Sequence, residues 1–221
     1  MAQILFTARS GGLSQGIYST LNLADHVGDS ADVVQGNRRI LTALISQPSM
    51  KFMNQVHGNQ VVEVDSKSAY PIEADALVTR ERGLPLVVLA ADCLPILISG
   101  KNIVAAIHAG RKGVLNGVIT KTIDYMKSTG AQNLVATIGP AICSECYEVS
   151  SEMYLEAITQ IPELATSIAS HKLNLPAAAK SQIEHKGVDV RSLDICTAHD
   201  ENYFSYRRDG QTGRNAGVIV L

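Results

Sequence analysis

Tryptophan is absent, and only 5% of the residues are aromatic. The core of this 221-residue chain must therefore come mainly from Ala, Val, Ile and Leu, and a 46% hydrophobic content is enough for a large one. An excess of one charge is missing too: 19 Lys and Arg stand against 21 Asp and Glu, a formal net of -2. That excludes a nucleic-acid binder working through bulk positive charge, although it leaves room for one small basic pocket. No apolar run approaches the roughly 18 residues that span a bilayer. The first residues, MAQILFTARSGG, lack the basic and apolar regions of a signal peptide. A cytoplasmic protein with no membrane or nucleic-acid partner is expected. Its four Cys, at 93, 143, 146 and 196, are then reduced thiols and not a disulfide frame. Internal repeats and low-complexity linkers are also lacking, so one mixed α/β domain over 1–221 is the simplest organisation.

What is present centres on residues 84–113, LPLVVLAADCLPILISGKNIVAAIHAGRKG. The stretch reads as two buried strands, 84–90 stopping at Asp92-Cys93 and 103–107 stopping at His108-Ala109-Gly110. A thiol and an imidazole at the ends of neighbouring strands would present chemistry at one edge of a sheet. Either residue also fits a packed core, where free Cys is common. Shorter strands are expected at 3–8, 51–56, 60–64, 74–79, 133–138 and 217–221. Helical spacing is read over 31–45, capped by Asp29 or Ser30, and over 113–126. It is also read over 150–170 with a break at Pro162, and over 175–186 with Pro176 in the first turn.

His57, Cys93 and His108 are soft or borderline ligands near strand ends. Two imidazoles and one thiolate are a ligand set for catalytic zinc, with the fourth tetrahedral position left to water. The three lie in distant segments, so spacing alone does not establish that they meet. The rival chemistry is a metal-free pair, with Cys93 as nucleophile and His108 as base, as in a hydrolase or amidase. A copper-dependent phenol oxidase is disfavoured, because a blue-copper site wants tightly spaced ligands and six His are too few for four coppers. Cys143-Ser-Glu-Cys146 has C-x-x-C spacing. No second pair follows at zinc-ribbon distance, so no structural zinc is expected there.

Eight segments then follow one another in a recognisable order: FTARSGGLSQGIYSTLNLADHVGDS, NRRIL, NQVHGNQVV, ADALVT, ADCLPILI, AAIHAGRKGV, IGPAICSECYEV and SYRRDGQTGRNAGVIVL. From Phe6 to Leu221 the chain resembles the YfiH/YlmD-like family, once described as multicopper polyphenol oxidases or laccases and now as zinc-dependent purine nucleoside phosphorylases. The resemblance implies a four-layer α/β/β/α sandwich with mixed β-sheets. It implies zinc held by His57 of Val-His-Gly, Cys93 of Ala-Asp-Cys and His108 of His-Ala-Gly. It also implies purine nucleosides and phosphate as substrates, with phosphorolysis of adenosine, inosine and methylthioadenosine and deamination of adenosine. Two departures stand out. The family commonly continues His-Ala-Gly with Trp-Arg-Gly, where this chain has Arg111-Lys112-Gly113, and Cys143 stands where Gly is more frequent.

Phosphorolysis requires an anion pocket. Asn37 and Arg38, in the family's Asn-Arg motif, and Arg111 with Lys112 are the expected substrate-binding residues, since guanidinium groups bind phosphate oxygens bidentately. Arg207, Arg208 and Arg214 form a further basic cluster that reads equally well as a solvated loop. Asp92 is the carboxylate nearest Cys93 for moving protons. On a continuous strand it would face away from Cys93, which suits a supporting role.

Overall fold

A computed structural model describes residues 2–47, 49–166 and 170–221. Among them ten strands form two mixed sheets. The smaller has the order β1 (Gln3–Phe6), β10 (Asn215–Val220), β5 (Leu86–Ala90), β2 (Lys51–Phe52). The larger runs β3 (Val61–Glu63), β4 (Ala76–Thr79), β7 (Val104–Ala109), β6 (Leu94–Ser99), β8 (Val135–Ile138), β9 (Asp189–Ser192). The two sheets pack face to face.

Side-chain parity along the strands explains why they read as continuous apolar runs. Leu86 and Val88 of β5 face the other sheet, with Leu97, Val104, Ala106 and Ile219, while Val87 and Leu89 face outward. The outward face is covered by α1 (Ala31–Ile45) through Leu41 and Ile45. On the larger sheet Ile96, Ile98 and Ile107 point the opposite way. They meet Val118, Ile123 and Met126 of α3 (Val118–Ser128), and α2 (Arg111–Leu115), α4 (Ser151–Gln160) and α5 (Leu175–His185) complete that layer. The central strands β4, β5, β6, β7 and β10 are thus buried on both faces, and the result is the expected α/β/β/α sandwich. A fully buried Leu or Ile in such a core contributes about 1.5–3 kcal/mol.

Several boundaries differ from the expectations. The central stretch holds three strands, and β5 and β7 belong to different sheets. The chain leaves the smaller sheet at Ala90 and enters the larger at Leu94, so Asp92 and Cys93 occupy the crossing itself. The helix expected over 113–126 is two helices, parted at Gly117, which adopts φ +76. Neither Asp29 nor Ser30 caps α1 with its side chain; the Asp29 carboxylate is taken by Ser14 and Asn22 in the preceding loop. The segment 150–170 is α4 followed by a 3-10 turn, Pro162–Leu164, and part of that expectation lies outside the described residues. β9 and α6 (Tyr206–Asp209) carry too little apolar periodicity to be read in advance.

Candidate active site and a second Cys-His cluster

The site is built on Asp75, which directly precedes β4 and is wholly buried. Its position continues the parity of Leu77, toward the gap between the sheets, as His108 continues that of Val104 and Ala106. Cross-strand register brings the two together: the His108 N–H donates to the Asp75 carbonyl at 2.8 Å, and His108 Nδ1 lies 2.8 Å from Asp75 Oδ1. The same carboxylate accepts the backbone N–H groups of Val56, His57 and Gly58 at 3.3, 3.0 and 2.7 Å. One buried carboxylate therefore aims an imidazole and shapes the turn that carries His57, whose φ is +58. Burial alone would raise the Asp75 carboxyl. The His108 ring and the N–H groups of Gly58 and Val56 outweigh it and hold the group below its usual range.

With Nδ1 engaged by Asp75, His108 has Nε2 left to offer, the arrangement that fixes a metal-ligating tautomer. The His57 and His108 rings meet edge to face, with centroids 4.7 Å apart, and Cys93 Sγ is 3.9 Å from His57 Nε2. One donor atom from each of His57, Cys93 and His108 lies within 4.8 Å of the others. Gly110 makes this approach possible: a Cβ there would stand 2.8 Å from Cys93 Sγ and 3.1 Å from the His57 ring. Burial pushes the Cys93 thiol up, but the charge and hydrogen bond of His108, then those of His57, bring it down to about 6. Burial likewise pushes His108 down, and the Cys93 thiolate and Asp75 carry it up to about 9. Without a metal the pair is thiolate and imidazolium. The donor chemistry, two imidazoles and an acidified thiol at one point, fits a borderline divalent metal such as zinc.

These residues form one end of a cavity of about 430 Å³ that is also lined by His26, Gln55, Tyr147, Tyr206, Arg207 and Arg214. The cations here come from the cluster that the sequence left open between a basic site and a solvated loop. Arg207 donates to the Glu148 carbonyl at 2.8 Å and lies over the Tyr147 ring. Arg214 is partly buried, and burial lowers its pKa. Arg208 is structural, donating to the carbonyls of Thr197 and Tyr203 at 2.7 Å each.

None of the four expected substrate-binding residues lines this cavity directly. Asn37 is wholly buried in α1, with its amide engaged by Leu13 N–H, Ser14 Oγ and the carbonyls of Thr20 and Asn22, which leaves it a positioning role for the loop before α1. Arg38 lines an adjoining cavity of about 640 Å³, stacked 4.1 Å over Phe52 and paired with Asp25 at 3.2 Å. Arg111 lies 4.0 Å from Glu156 and also bonds the Tyr147 hydroxyl at the cavity wall, and Lys112 is exposed. Asp92, at φ +95, is no proton shuttle. Its carboxylate is filled by Thr197 Oγ1, Ser205 Oγ and the Arg207 N–H, which ties the crossing between the sheets to the loop before α6.

A second cluster was missed. Cys143, Cys146, Cys196 and His199 also place four donor atoms within 4.8 Å of one another. The partner of the C-x-x-C pair is Cys196-Thr-Ala-His199, a C-x-x-H pair too distant in sequence to be sought as a ribbon.

The fold and the Cys-His-His cluster at the cavity floor define a class. Residues 3–221 match the family described as multi-copper polyphenol oxidoreductase laccase, and the chain belongs to that family. It is 41% identical over 229 residues to a purine nucleoside phosphorylase of Corynebacterium glutamicum, covering 98% of this chain and 93% of that one. A purine nucleoside phosphorylase of Streptomyces coelicolor is 40% identical over 227 residues, covering 98% and 94%. Among solved structures the chain is similar to Neisseria meningitidis protein NMB0706, with a TM-score of 0.91 and 37% identity over 100% of this chain and 94% of that one. It is also similar to YfiH of Bacillus licheniformis, with a TM-score of 0.93 and 26% identity over 100% and 92%.

Proposed function

We propose that this chain is a zinc-dependent purine nucleoside enzyme that cleaves adenosine, inosine and methylthioadenosine with phosphate and also deaminates adenosine. The observation that carries the reading is the meeting of His57, Cys93 and His108 at the floor of a cavity walled by Arg207 and Arg214. The names of the similar proteins support the phosphorolytic part. His57 Nε2, Cys93 Sγ and His108 Nε2 would hold the metal. Bound there, zinc would supply Lewis acidity and acidify a water.

In phosphorolysis a phosphate oxygen bonds to C1′ as the C1′–N9 bond breaks, and the bonding pair leaves with the purine. Arg207 and Arg214 neutralise the phosphate and hold it where positive charge develops on the sugar. Tyr147 keeps its proton, because burial and then the Cys93 charge raise its pKa, so it donates from the wall. Burial, followed by the Arg214 charge, lowers His26, which therefore meets the ligand as a neutral imidazole with one donor and one acceptor. In deamination a water adds at C6 of adenine and ammonia leaves. Asp75 acts through His108, fixing its ring and not touching substrate.

A metal-free Cys-His hydrolase is a second reading, favoured by the Cys93–His108–Asp75 line and the lowered thiol pKa. One experiment divides the two. The purified protein is incubated with inosine or adenosine and phosphate, and products are followed by chromatography beside metal analysis. The proposal expects free purine, ribose 1-phosphate, inosine from adenosine, and bound zinc that His57→Ala loses together with activity. Full turnover by a zinc-free His57→Ala variant would sink it.

A further inference from the structure

The second cluster plays no part in that chemistry. Cys143 and Cys146 lie on the loop between β8 and α4, and Cys196 and His199 on the loop between β9 and α6. His199 Nε2 is 3.0 Å from Cys146 Sγ, and its Nδ1 is 3.9 Å from Cys143 Sγ. The Cys143 N–H donates to Cys196 Sγ at 3.4 Å, the kind of bond that satisfies a thiolate. Backbone bonds fix both pairs. The Cys146 N–H closes a turn on the Cys143 carbonyl at 3.2 Å, and the Asp200 N–H does the same on Cys196 at 2.9 Å. Ala141 and Thr197 exchange further bonds across the loops: the Ala141 N–H donates to Ile195 and the Thr197 N–H to Ala141, both at 3.1 Å.

We propose that Cys143, Cys146, Cys196 and His199 hold a second metal ion, a structural zinc that clamps these two loops together. Three thiolates and one imidazole form a closed tetrahedral set. Zinc–sulfur bonds of about 2.3 Å give tetrahedral edges near ~3.8 Å, so a cluster spanning 4.8 Å closes with small side-chain rotations. Binding releases the three thiol protons to solvent and leaves no open position, so the site has no catalytic capacity. Its position gives it a purpose. The first loop supplies Ile142 and Tyr147 to the cavity wall, and the second leads to Tyr206 and Arg207 through Thr197, which bonds Asp92.

The test is metal content and spectroscopy on the full chain, purified reduced and with zinc present. Wild type should carry two zinc ions per chain, Cys93→Ala one, and Cys143→Ser/Cys146→Ser one. If the double variant does not fold, Cys93→Ala still decides. After cobalt exchange it should show thiolate charge-transfer bands, which can arise only from this cluster because Cys143, Cys146 and Cys196 are the thiols left. A chelator should lower its Tm by roughly 5 °C or more. A metal-free Cys93→Ala protein would overturn the proposal. So would a disulfide among Cys143, Cys146 and Cys196 in freshly isolated wild type, seen as a two-hydrogen loss in intact mass. Neither result bears on nucleoside turnover by the wild type, so the two proposals fail separately.

Discussion

The two Cys-His clusters use the same residue types and differ in everything around them. His57, Cys93 and His108 have three donors, a buried carboxylate behind one imidazole and a cavity in front. Cys143, Cys146, Cys196 and His199 have four donors and backbone turns behind them. An open set supported by a charged partner suits chemistry, and a closed set supported by backbone suits cross-linking. The identity of the ligands does not decide the role; the count of donors and what stands behind them does.

The contrast can be tested most sharply by crossing the two sites. Cys93→Ala should bring phosphorolysis and deamination to background, while Cys143→Ser should chiefly lower Tm. Kinetics and melting curves on both proteins check this, and a matched loss of activity in both would erase the distinction. Next in size is Asp75→Asn. It removes a buried charge that four donors share, so metal affinity at the cavity should fall about 10–100-fold. Stability should fall by about 3 kcal/mol, read from urea denaturation. Among the described residues no comparable buried carboxylate bonds a ligand of the second cluster.

A smaller effect is expected at the cavity rim. Arg207→Ala should raise the KM for phosphate roughly 10–100-fold, from the loss of a charge-assisted hydrogen bond, with less change in kcat. Arg38→Ala should change phosphate binding little, because its guanidinium is committed to Asp25 and the Leu23 carbonyl. Initial-rate kinetics at varied phosphate separate these outcomes, and a large phosphate defect in Arg38→Ala would restore the assignment made from the Asn-Arg motif.

The smallest effect is one of pH. In metal-stripped protein the Cys93 pKa falls from 9.0 to about 6 on folding, so its contribution grows as pH rises between those values. The His108 pKa rises from 6.5 to about 9, so its contribution is full below 6.5 and is lost as pH rises toward 9. Around pH 7.5 both the folded and the unfolded pair bind one proton, and the two slopes cancel. Stability of the stripped wild type should therefore be flat from about pH 6.5 to 9 as far as this pair is concerned. Cys93→Ala removes the Cys93 slope and also the largest influence raising His108, leaving only what Asp75 sustains against burial, so the His108 contribution should shrink with it. Denaturation midpoints across that range would expose a sloping wild type, which would argue against the ion pair.

Much of the fold could be read in the sequence because burial on both faces writes long apolar runs. Strands 86–90 and 104–109 and the helix Ala31–Ile45 stand out for that reason. The sheet to which each strand belongs did not follow, since β5 and β7 are equally apolar and only register separates them. Asp75 illustrates the same limit at the site. It falls inside the strand expected over 74–79 and drew no functional notice there, while Asp92 was singled out as the carboxylate nearest Cys93. A signal for Asp75 existed: an acid at an apolar strand's entrance, where a charge has no solvent unless a partner waits for it.

The sequence by itself determined the ligand types, the apolar layers and the family. Those are carried by residue identity and local spacing, which the chain records directly. The tertiary structure alone decided which donors meet. It joined His57 to residues 36 and 51 positions away, and it joined the C-x-x-C pair to a C-x-x-H pair 50 positions on. It also placed Arg207 and Arg214 on the wall of the cavity. Donor convergence and charge burial depend on distances in space, set by sheet register and loop closure, and no short stretch of chain encodes them.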